Sequence, residues 1–144
     1  IISADGMVIY KKTPVVKCLN YTKSVQWVTR VDAVALFNFL QDFRKENVTC
    51  VLERPFTGKF WKTAASAVRA LEATLIVLEL LKIPYSYIDS GEWQSKLLPK
   101  GLKKEELKIA SLQVGKRMYP NINWDKWKDA DGLMLCTYAK MKYA

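Results

Sequence analysis

The order of elements along the chain predicts an α/β fold, or its α+β variant, with a mixed sheet flanked by helices. Three observations carry this. The run Val48 to Leu52 is β-branched and apolar, the character of a central strand buried on both faces. The segment Ala64 to Lys82 is a long apolar helix rich in small residues. Pro84-Tyr-Ser-Tyr-Ile88 then returns to strand character, and three further helical segments close the chain.

In order, Ile1 to Tyr10 reads as strand, Asp5-Gly6 turn, strand, with the first strand cut short. Pro14 to Leu19 fits a third strand. Asp32 is an N-cap for a helix through Arg44, which carries Leu36, Phe37, Leu40 and Phe43 on one face. After Val48–Leu52, residues 54–62 form a loop with Pro, Gly, two Phe and a Trp. Beyond Ile88 come a short helix from Trp93 to Leu97 and the basic linker Pro99-Lys100-Gly101. A basic amphipathic helix from Lys103 to Arg117 is stopped by Pro120, and a last helix covers residues 130–142.

At 144 residues and half apolar, the chain 1–144 reads as one domain with a sizeable core. Its 23 Lys and Arg against 14 Asp and Glu give a charge of +9, which favours a polyanionic partner, nucleic acid before membrane. The absence of histidine removes imidazole acid–base chemistry and most zinc sites. Cys18, Cys50 and Cys136 cannot all pair, so reduced thiols in a reducing intracellular compartment are expected. The apolar stretch 64–81 carries Arg69, Glu72 and Glu79, and therefore reads as a core helix, not a membrane span.

Glu53 closes the apolar run of the central strand, and Asp131 opens that of the last helix. Carboxylates in such surroundings are costly unless something pairs with them. A divalent metal can bring together acids from segments this far apart, and in a basic chain that combination points to phosphodiester chemistry.

These residues lie within a longer pattern. It comprises the Asp5-Gly6 hairpin, the strand ending Val51-Leu52-Glu53-Arg54-Pro55, the small-residue-rich helix, and Ile83-Pro84 leading through a strand to Trp93. It continues with Lys104-Glu105-Glu106 opening a helix that ends Met118-Tyr119-Pro120, and finishes with Ala130-Asp131-Gly132-Leu133-Met134-Leu135. In this order the chain resembles the RuvC-like Holliday-junction resolvases of the ribonuclease H-like superfamily, of phage, viral or organellar type.

The resemblance implies a Mg²⁺-dependent endonuclease that resolves four-way DNA junctions with two metal ions, Mn²⁺ serving as a substitute. Glu53 matches the family's strand-end ligand, Asp131 the acid of its last helix, and Lys104 a basic residue beside the active site. The family's first-strand aspartate has no match and is expected upstream of Ile1, so residues 1–144 alone are expected to cleave poorly or not at all; Asp5 is better explained by turn chemistry. The family's fourth acid falls where Trp127 and Lys128 stand here. Asp129 is about 200° from Asp131 on an ideal helix and can join it only from a non-helical position; Asp125 is the reserve.

For DNA contacts, the loop offers Arg54, Phe56, Lys59, Phe60 and Lys62, cations for phosphates and phenylalanines to wedge an open base step. Trp61, Trp124 and Trp127 are expected to pack. Lys103 and Lys104 sit at a helix N-terminus against the dipole, a placement that suggests use. Two incisions per junction imply a homodimer, with an exposed part of the helix 64–82 as its candidate surface. Two alternatives stand beside this reading: a non-catalytic junction-binding module with an incomplete acid set, and a ribonuclease on the same fold. A phage-encoded protein would work in the host cytoplasm; an organelle or nucleus is the other expectation.

Overall fold

The structure is a computed structural model that describes residues 1–44, 47–56 and 58–143. It is a mixed α/β protein. Its described residues form β1 (Val15–Leu19), β2 (Trp27–Val31), α1 (Ala33–Gln41), β3 (Cys50–Glu53), α2 (Trp61–Leu81), β4 (Tyr85–Ile88), α3 (Ser90–Leu97), α4 (Lys104–Met118) and α5 (Asp131–Tyr143). No helix among them is long and apolar enough to cross a membrane.

The strands form two separate two-stranded sheets, β1–β2 and β3–β4, where a single mixed sheet was expected. The first sheet is antiparallel, with Val15 opposite Val31 and Leu19 opposite Trp27. In the second, the Cys50 N–H donates to the Pro84 carbonyl and the Arg54 N–H to that of Ile88. Both partners advance in the same direction, so β3 and β4 run parallel, joined through α2. Cys50, Val51 and Leu52 are half-buried and Glu53 is exposed. This is not the doubly buried central strand that the apolar run suggested, because among the described residues β3 is paired with β4 alone in its sheet.

The chain divides into two compact units. One comprises residues 12–50 and 55–86, the other residues 1–11, 51–54 and 87–144. In the first, α1 and β2 pack against α2. Asp32 caps α1 by accepting the Ala35 N–H at 3.0 Å, and the helix ends at Gln41, short of Arg44. At the other end of α2, Lys82 takes a left-handed conformation with φ of 55° and closes the helix on the Glu79 and Leu78 carbonyls.

In the second unit α3 and α4 each pack on α5. Their core gathers Ile88, Trp93, Leu98, Ala110, Trp124, Ala130, Leu133 and Met134. The N-terminal hairpin is minimal: Ile2 and Val8 form one antiparallel bridge, and Gly6 turns the chain with φ of 93°. The Asp5 carboxylate accepts from the Ser3 hydroxyl and the Met7 N–H, a local turn role. Cys18, Cys50 and Cys136 are half-buried.

Candidate active site

Asp129, Asp131, Lys108, Ser111 and Tyr10 come together where α4 meets the start of α5. Ala130 is the last non-helical residue: its carbonyl accepts the Met134 N–H, the first bond of α5. Asp131 is thus the first helical residue, where the dipole favours a negative charge. Asp129 lies just outside the helix, and its Oδ1 accepts the Asp131 N–H at 3.4 Å. The non-helical placement puts both carboxylates in one electrostatic neighbourhood despite their two-residue spacing. Asp125 is exposed at the preceding turn.

Burial pushes the half-buried Asp131 carboxyl above the usual aspartate range, and the Asp129 charge raises it further. A hydrogen bond from Ser111 and the charge of Lys108 oppose the rise. Lys108 Nζ lies 3.9 Å from Asp129 Oδ2. Two acids therefore share the charge of one exposed lysine. Lys104, at the first position of α4, is one helical turn before Lys108, which places the two on one face. Lys103 precedes the helix, and its N–H donates to Glu106 at 2.6 Å.

Tyr10 supports the pair from the hairpin. Its ring stacks on Trp127 at 3.7 Å and meets Trp124 at 6.0 Å, and its hydroxyl donates to the Asp129 carbonyl at 3.4 Å. Burial, with the nearby Asp129 and Asp131 charges, pushes the Tyr10 phenol up to about 12. Trp124 is buried, its indole N–H bonded to the Tyr119 carbonyl, so the expectation of packing tryptophans holds for Trp124 and Trp127.

Glu53 sits at the exposed end of β3, and its Oε2 accepts the Trp93 indole N–H at 2.8 Å. Next to it, Arg54 pairs with Asp89 at 3.1 Å and lies over the Tyr87 ring. Among the described residues, no three Asp, Glu or Cys side chains form a group that could hold a metal ion. The acids brought together are Asp129 and Asp131; Glu53 has its own, separately organised setting.

The aromatic loop is exposed: Phe56 by 82%, Phe60 by 78% and Trp61 by 80%. The expectation that Trp61 packs down as an anchor therefore fails; as the first residue of α2 it projects outward. Lys59 and Lys62 are exposed beside these rings, and Thr57 lies outside the described residues.

Lys108, Ser111, Tyr10 and Trp93 were not among the site residues expected from the sequence. Only Lys108 and Ser111 carried a usable signal, being four and seven residues beyond Lys104 on one helical stripe. No protein-family model matches the chain, and no curated protein matches it.

Proposed function

We propose that the chain is a Mg²⁺-dependent, ribonuclease H-like endonuclease acting on four-way DNA junctions as a homodimer. The observation that carries this reading is the Asp129–Asp131 pair, whose charge a single exposed lysine incompletely offsets. The donors are hard carboxylate oxygens, as Mg²⁺ prefers, and Mg²⁺ is commonly held by one or two carboxylates plus water and substrate phosphate. The pair therefore fits one such ion, with Mn²⁺ as a substitute. Glu53, oriented by Trp93, is the candidate ligand for a second ion.

A bound ion would supply Lewis acidity toward the scissile phosphate. The chain's own residues do the rest. Lys104 and Lys108 present positive charge on one face of α4 for the phosphodiester. Arg54 and Lys103 take flanking phosphates. In the other unit, Lys59 and Lys62 offer cations for phosphates, and Phe56 and Phe60 offer rings for an opened base step. The parallel β3–α2–β4 arrangement with an acid at the end of β3 supports the ribonuclease H-like assignment.

Junction cleavage in Mg²⁺ by the chain extended upstream of Ile1, with Asp131 intact and as Asp131→Asn, tests the reading. Cleavage that Asp131→Asn abolishes, with junction binding in EDTA retained, is the expected result. Binding without any cleavage moves the function to a non-catalytic junction-binding module. Cleavage confined to RNA–DNA hybrids makes it a ribonuclease.

A further inference from the structure

The Ser111 side chain is fully buried, and no step above uses it. A buried hydroxyl is costly unless its hydrogen-bonding capacity is satisfied. Here it accepts the Ala130 N–H from the start of α5 at 3.2 Å. Its one proton goes to the Lys108 carbonyl at 3.1 Å in its own helix. A serine that only satisfied itself would need the helical carbonyl alone. Ser111 also holds the Ala130 amide, and so links α4 to the residue before Asp131.

Gly115, one turn further along the same face of α4, makes the contact close. A Cβ there would lie 2.6 Å from the Ala130 Cβ and 2.8 Å from Trp124 Cη2. Ala130 is thus seated on a small-residue step formed by Ser111 and Gly115, which leaves the start of α5 little freedom to shift.

We propose that Ser111 is a positioning residue that orients the Asp131 carboxylate for a divalent cation through its hydrogen bond to the amide of Ala130, the residue before Asp131. This rests on the proposed metal site at Asp129 and Asp131.

The test uses Ser111→Ala, with Ser111→Cys as a space-filling variant whose thiol is a poor donor and acceptor. Thr137→Val is the control. It removes another buried hydroxyl of α5, one bonded to the Leu133 carbonyl and to Tyr119, away from the acids. Two quantities are measured on DNA-free protein: Mn²⁺ affinity, by the spin resonance of unbound metal, and amide exchange at Ala130. Ser111→Ala and Ser111→Cys should weaken Mn²⁺ binding about 10-fold or more, as lost outer-sphere partners do, and speed Ala130 exchange. Thr137→Val should lower the melting temperature comparably while leaving Mn²⁺ affinity as in wild type. Wild-type Mn²⁺ affinity in both serine variants, or an equal loss in Thr137→Val, reduces Ser111 to a structural role and overturns the inference alone. Wild-type protein that binds Mn²⁺ no better than Asp131→Asn overturns the metal reading and the inference with it.

Discussion

The Trp93 indole N–H donates to Glu53 Oε2 at 2.8 Å, joining a fully buried ring on α3 to an exposed carboxylate at the end of β3. The donor cannot move without disturbing the core, since Trp93 packs among Ile88, Leu98 and Leu133 in one cluster. The acceptor is thereby held in one orientation. A strand-end glutamate otherwise loses about 1–2 kcal/mol of side-chain entropy on being fixed by a ligand, and here part of that loss has already occurred on folding.

Trp93→Phe is therefore expected to reduce Mg²⁺-dependent cleavage about 10- to 100-fold, the range for lost partners of metal ligands. It should also cost about 2 kcal/mol of stability from the missing donor and the smaller ring. Glu53→Gln keeps an acceptor for the indole and should retain wild-type stability while losing cleavage more completely. Cleavage assays paired with urea denaturation separate the two effects. Equal activity of Glu53→Gln and wild type would remove Glu53 from the site.

The raised carboxyl of Asp131 gives a pH signature. Its folded-state value lies above that of an unfolded aspartate, so its contribution to stability is fully present below the unfolded value. That contribution is lost as pH rises through the folded one. At neutral pH the ionised group opposes folding. Asp131→Asn should thus hold or raise the melting temperature near pH 7 and give no gain in acid, where wild-type Asp131 is already neutral. Proton and cation compete for the same oxygens, so Mn²⁺ binding should weaken on acidification sooner than for an ordinary aspartate. Calorimetry across pH checks the first statement and metal titration the second.

Local signals made much of this legible in the sequence. Asp32 capped the helix it was expected to cap, Pro84–Ile88 gave β4, and the boundaries of α4 and α5 fell within a residue of expectation. The β2 strand was overlooked although Trp27-Val-Thr-Arg-Val has strand composition. The apolar 48–52 run suggested a central strand because composition reports burial, not the number of hydrogen-bonded neighbours, and among the described residues β3 has one. Tyr10 was illegible for a different reason: it meets Asp129 across 119 positions, a separation that leaves no periodic trace. Ser111 shares a helical stripe with Lys104, but its contact with Ala130, across 19 positions, left no such trace either.

Gly115→Ala sets two effects against each other. Alanine favours an interior helix position by about 1 kcal/mol over glycine. The new Cβ would meet Ala130 Cβ at 2.6 Å, and that atom is fixed to backbone at the start of α5. Overpacking of this kind costs about 1–3 kcal/mol, so the clash wins and the variant should be less stable. It should also lose Mn²⁺ affinity, because relief of the clash moves α5 and Asp131 away from α4. A stabilised Gly115→Ala with wild-type metal binding would show that the start of α5 yields easily, against the close seating described above.

The proposed homodimer has a definite candidate surface on α2. Trp61, Val68, Glu72, Ile76 and Leu80 are all exposed, and their seven- and four-residue spacings keep them along one stripe of the helix. Four of the five are apolar, and an exposed stripe of this kind marks an interaction surface more often than an isolated exposed side chain does. A two-fold axis would bring the same stripe from each copy face to face, so one substitution acts twice in the interface. Leu80→Asp, or Ile76→Asp with it, places like charges opposite one another in an apolar contact and should convert a dimer to monomer. Because these side chains are exposed within one chain, the monomer should keep its fold and its melting temperature to within about 0.5 kcal/mol of stability. Sedimentation or light scattering reads the oligomeric state, and circular dichroism the fold. Paired incision of a junction should fall more steeply than single nicking in the monomeric variant. A wild-type chain that stays monomeric at high concentration, or a dimer unaffected by both substitutions, would place the second incision or the interface elsewhere.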